Sequence, residues 1–161
     1  MKLCNSEIIK KINDLDEQKN RILSEESRNC TSKYQKESDL IDLGYNFAAT
    51  RKAIEEINRE VVKLKHLLHL TNATVVVPEF DMTIGECLIY MAQLERERRC
   101  IEEMALKPAK SRITSYGGVV EFEITNYNID ECKQKLTETI ETIRKLQVAI
   151  DRVNLTHMIE V

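Results

Sequence analysis

Between Leu40 and Leu68 apolar side chains recur at steps of three and four residues without a slip. The series is Leu40, Leu43, Phe47, Ile54, Ile57, Val61, Leu64 and Leu68, with Thr50 its one polar member. Side chains at that spacing share one stripe of an α-helix, and a sustained repeat of 3.5 residues is the pattern of a helix lying along another helix. A helix over residues 38–70 is a rod of roughly 40–45 Å. Such a stripe dictates architecture and carries no chemistry of its own, so it reads as an interaction seam.

Three further segments follow the same rule. Residues 3–29 place Ile8, Ile12, Leu15 and Ile22 on one stripe, interrupted by Lys19, and the polar run from Ser24 to Ser32 reads as a loop between antiparallel helices. Residues 83–106 carry Ile84, Cys87, Met91, Leu94, Ile101 and Ala105, with Arg98 as the exception. Thr83 and Glu86 form a capping-box pattern at their start, and Pro108 enforces the stop. Residues 129–153 repeat the seam through Ile129, Cys132, Leu136, Thr139, Ile143, Leu146, Ile150 and Val153, with Asn128 as the cap.

The period changes twice. Residues 74–77 end in three valines closed by Pro78, which reads as a short strand. Strands over 113–116 and 119–125 flank Gly117-Gly118, a pair that suits a two-residue hairpin turn. Val120, Phe122 and Ile124 alternate with Glu121, Glu123 and Thr125, so one face is expected to be buried and the other wet. The expected fold is mostly α. It is one elongated domain over residues 1–161, a long antiparallel helical hairpin or four-helix coiled-coil bundle with a small β hairpin.

Composition narrows the function classes. Twenty-four basic and 27 acidic residues are interspersed, giving a net charge of −3, so no global polybasic field recruits nucleic acid or anionic lipid. Nor is there a run of the ~18–20 apolar residues that a membrane span needs. The amino-terminal residues have no apolar core of a signal peptide, and the five cysteines are scattered without a Cys-x-x-Cys pair. The expectation is a cytoplasmic chain with free thiols, no cofactor and no membrane partner.

Candidate chemistry is sparse. His66 and His69 lie off the seam and read as surface residues. Glu55, Glu56, Glu60, Glu102 and Glu103 read as solvated helix faces rather than a di-metal site, since no Glu-x-x-His occurs. One basic cluster, Lys107, Lys110 and Arg112 with Arg96, Arg98 and Arg99 upstream, is a patch for phosphate or an acidic partner, with no aromatic platform expected beside it. A polar cluster of Thr71, Asn72, Thr74, Ser111, Arg112, Asn154 and Thr156 falls at the connections between helices. It is the candidate site for a small ligand, for nucleic acid or for an unassigned enzyme activity.

Taken in order, several short motifs resemble a bacterial family of small helical proteins known as septicolysin-like. They are Met1-Lys2-Leu3, Ile57-Asn58, Thr71-Asn72-Ala73-Thr74, Met82-Thr83-Ile84-Gly85-Glu86, Ser111-Arg112 and the stretch from Asp151 through Asn154-Leu155-Thr156. The chain departs from the family where Leu155 replaces its tryptophan. The resemblance implies a helical hairpin architecture and self-association, and the family label implies a pore-forming toxin. Against pore formation, the β arms of about four to seven residues fall short of the ~9–11 that a barrel strand needs. The reading that follows is a non-enzymatic coiled-coil protein acting through self-association, as a homo-oligomer, or through an unidentified protein partner.

Overall fold

A computed structural model describes residues 2–114 and 117–161. Among these residues the chain is mostly helical, with four α-helices and three antiparallel strand pairs. Its contacts divide it into two compact units, residues 1–72 with 154–161 and residues 73–153.

The first unit holds strand β1 (Lys2–Cys4), helix α1 (Asn5–Asn29), most of helix α2 (Phe47–Thr74) and strand β6 (Met158–Glu160). Helices α1 and α2 run antiparallel, for Glu26 meets Arg51, Lys19 meets Asn58 and Lys11 meets Glu60. Ile8, Ile12 and Leu15 pack with Val61 and Leu64, and Leu3, Ile57 and Ile159 close over them. β1 pairs with β6, Leu3 opposite Ile159, so residues near the two chain ends share a ribbon. This pairing also explains why the first helix begins at Asn5 rather than at residue 3. Lys19, which interrupts the α1 stripe, donates to Asn58 Oδ1 at 2.8 Å.

The long seam needs correction at its start. The second helix begins at Phe47, not near residue 38, and Leu40, Leu43 and Phe47 are exposed. The cause is local. Gly44 has φ +65° and its N–H donates to Asp42 Oδ1, a turn that ends any helix there. Asn46 then caps the new helix by accepting from the Ala49 N–H at 3.0 Å. From Ile54 onward the seam is buried or half-buried through Leu68. At the other end of the loop, Ser24–Asn29 are helical, and the Cys30 N–H closes the last turn on Glu26 O.

The second unit holds strands β2 (Val76–Val77) and β3 (Met82–Thr83), helix α3 (Ile84–Ala105), strands β4 (Lys110–Thr114) and β5 (Val120–Ile124), and helix α4 (Ile129–Thr156) up to Val153. Its core is Val77, Ile84, Cys87, Leu94, Leu146, Ala149 and Ile150. Glu79 with Arg152, Glu97 with Lys135, and Ile101 O with Cys132 Sγ fix α3 and α4 as antiparallel. Thr83 caps α3 as its sequence predicts, accepting from the Glu86 N–H while the Glu86 carboxylate accepts from the Thr83 N–H at 2.7 Å. Asn128 Oδ1 likewise accepts from the Asp130 and Glu131 N–H groups at the start of α4. Arg98, the exception in the α3 stripe, is held by Glu95 at 2.8 Å and Glu102 at 2.9 Å.

Candidate functional site

The β4–β5 hairpin is the part of the second unit that the helices leave uncovered. Its root is built by local bonds. Pro108 follows the end of α3, the Thr125 N–H donates to Ala109 O at 3.1 Å, and the Tyr127 hydroxyl donates to Met104 O at 2.7 Å. A cavity of about 300 Å³ opens there, among Lys107, Pro108, Ser111, Ile124 and Tyr127. Beyond the root, every residue of β5 is exposed and Ser111 alone of β4 is half-buried.

The expected burial of the β5 apolar row is therefore overturned: Val120, Phe122 and Ile124 are 41%, 61% and 60% exposed. Their period is right, but among the described residues no helix lies over them. The register differs too. A two-residue Gly117-Gly118 turn would set Thr114 opposite Glu121 and Phe122 opposite Ile113. Instead Thr114 faces Val120, Ile113 faces Glu121 and Arg112 faces Phe122. Gly117, Gly118 and Val119 precede β5, and Ser115 and Tyr116, expected in the first strand, lie outside the described residues. Gly117 and Gly118 both take positive φ, the region that favours glycine.

A shift of one residue moves a strand's side chains to the opposite face of the ribbon. Here it puts Ile113 with Glu121 and Glu123, and brings Lys110 and Arg112 onto the face of Val120, Phe122 and Ile124. The Lys110 ammonium stands 4.5 Å from the centre of the Phe122 ring, a cation–π contact. The basic cluster thus has an aromatic neighbour that the sequence reading assigned to a buried face. The signal was Lys110 and Arg112 at even spacing, legible only once the register is known.

The seven residues of the predicted polar cluster are divided between the units: Thr71, Asn72, Asn154 and Thr156 in the first, Thr74, Ser111 and Arg112 in the second. Thr71 is buried and its hydroxyl donates to Leu67 O within its own helix. Ser111 donates to Glu123 Oε2 at 3.5 Å. Asn154 has a partner outside the predicted set, accepting at Oδ1 from Asn5 Nδ2 at 2.9 Å. Asn5 is fully buried and its own Oδ1 has no partner. Sequence reasoning missed it because it placed Asn5 inside a helix over residues 3–29, and the partner lies 149 residues along the chain.

All five cysteines are free thiols; Cys4 and Cys87 are buried. Burial, with Glu86 adding to it, pushes the Cys87 thiol above its ordinary pKa, which disfavours the reactive thiolate. His66 and His69 are exposed. Among the described residues no group of three or more His, Cys, Asp or Glu is arranged to hold a metal, and no helix is long and apolar enough to cross a membrane.

No family model matches the sequence, and no curated protein matches it. The fold is similar to the crystal structure of a functionally unknown conserved protein from Corynebacterium diphtheriae. The TM-score is 0.68 and the identity 16%, over 99% of this chain and 100% of that one. At that identity the likeness establishes the fold.

Proposed function

We propose that the protein is a non-enzymatic, cytoplasmic interaction scaffold that self-associates through the β4–β5 hairpin. The observation that carries this reading is the exposed row of Val120, Phe122 and Ile124 on a ribbon over which, among the described residues, no helix lies. An isolated two-stranded hairpin is marginal in water, and a contiguous exposed apolar face marks an interaction surface. A second copy suits that face. A two-fold axis running along the strands lays β4 of one copy over β5 of the other. The basic stems of Lys110 and Arg112 then cover the apolar row of the second copy instead of facing one another.

Within each unit the helices of this scaffold pair as coiled coils. The three-four steps of Ile54, Ile57, Val61 and Leu64 against Ile8, Ile12 and Leu15 support that geometry. Five unpaired thiols fit a reducing compartment. Kinship with the septicolysin-like family remains part of the proposal on its short motifs, without the toxin activity.

Light scattering tests the reading. The parent should give at least twice the 18.7 kDa chain mass at micromolar concentration. A V120S/F122S/I124S variant should give the single-chain mass while keeping its helical circular dichroism. A parent at the single-chain mass, or a variant that still associates, overturns the hairpin as the contact.

A further inference from the structure

We infer that a cavity in the second unit, distinct from the hairpin, is a binding site for a small organic anion with an apolar body. The cavity measures about 620 Å³, within the ~300–1,000 Å³ typical of small-molecule sites. Phe80, Val148 and Ala149 form its apolar wall, and Arg144, Lys145 and Arg152 stand on its rim. Phe80 comes from the β2–β3 turn, where Asp81 adopts φ +51°, and the other five project from two successive turns of α4 and the turn beyond.

Charge sets the ligand class. Glu79, also on the rim, pairs with Arg152. Among the described residues, neither Arg144 nor Lys145 lies within ion-pair distance of a carboxylate. The rim thus carries three cations against one anion in a chain whose net charge is −3. Lining α4, the steps Arg144, Val148, Arg152 and Lys145, Ala149 put a cation one turn on either side of the apolar wall. A molecule with a flat or chain-like apolar body and a carboxylate, sulfonate or phosphate at its edge satisfies both parts. A neutral molecule of the same body leaves Arg144 and Lys145 without a partner.

The probes are 1-anilinonaphthalene-8-sulfonate and its uncharged analogue N-phenyl-1-naphthylamine, titrated by fluorescence into the full-length chain. The sulfonate probe should saturate and bind more tightly than the neutral one. R144A/K145A should weaken the sulfonate probe at least about tenfold and leave the neutral probe unchanged. V148W, which fills the cavity from an exposed position, should abolish both. All these substitutions are at exposed residues, and unchanged helical circular dichroism and melting would show that the fold is kept. V120S/F122S/I124S should bind the probe as the parent does, which separates this site from the hairpin. Equal affinity for the two probes, or sulfonate binding indifferent to R144A/K145A and V148W, overturns the inference. Co-sedimentation with phosphatidylglycerol vesicles that R144A/K145A abolishes, without saturable probe binding, assigns the cations to a lipid surface and also overturns it.

Discussion

The apolar stripe of α2 and the apolar row of β5 obey their periods equally well, yet one is buried and the other faces water. From Ile54 to Leu64 the stripe meets Ile8, Ile12 and Leu15 of α1, and Leu64 is 1% exposed. Opposite the row of β5 on the neighbouring strand stand Lys110, Arg112 and Thr114, with no apolar partner among them. Periodicity reports secondary structure; burial also requires an opposing surface, and that is a property of topology. The same lesson holds ahead of α2, where the register of Leu40, Leu43 and Phe47 continues the stripe but no helix forms to carry the first two.

The largest expected effects contrast the two surfaces directly. Leu64→Ala and Leu146→Ala each remove a side chain from a filled core and should cost ~2–5 kcal/mol in urea unfolding. Phe122→Ala, a larger truncation by volume, should change the stability of dilute protein by no more than ~0.5 kcal/mol, as an exposed position does. A Phe122→Ala cost equal to that of Leu64→Ala would mean the hairpin face is packed within one chain, and the contrast would break.

A smaller effect sharpens what burial demands of polar groups. Asn154→Ala removes the hydrogen-bond partner of the fully buried Asn5 amide and should cost ~1–3 kcal/mol. Replacing Asn5 and Asn154 together by leucine should recover most of that loss, because no buried amide is left unpaired. If the double variant is as unstable as the single, the pair holds the β1–β6 end by shape rather than by its bond.

Smaller still are the helix caps. Thr83→Ala should cost ~1 kcal/mol by thermal unfolding. The hydrogen bonds from the Thr83 N–H and hydroxyl hold the Glu86 carboxyl below its ordinary pKa. A carboxylate depressed in the folded state stabilises it above the unfolded pKa, and that contribution is lost as pH falls through the folded value. Titration of the Glu86 carboxyl by NMR should therefore give a midpoint below that of an ordinary glutamate. Thr83→Ala should move it back upward.

Much of this fold was legible because helices announce themselves locally. The start of α3 followed from Thr83 and Glu86, that of α4 from Asn128, and the stop of α3 from Pro108. The late start of α2 was written in Asp42, Gly44 and Asn46, but a long apolar stripe outweighed three turn residues. The hairpin face was not legible, because its composition depends on a one-residue choice of register that Gly117-Gly118 leaves open. The pairing of Asn5 with Asn154 depends on bringing together residues from opposite ends of the chain, which no local pattern encodes. The cavity walls come from a β turn and a helix more than sixty residues apart, with no motif to link them.

Amide hydrogen exchange across residues 110–114 and 120–124, followed over a range of protein concentrations, tests most directly whether a second copy covers the hairpin. Protection of these strands should rise with concentration, while the amides of α1 to α4 remain protected throughout. Fast exchange of both strands at every concentration, beside protected helices, would contradict self-association through this face.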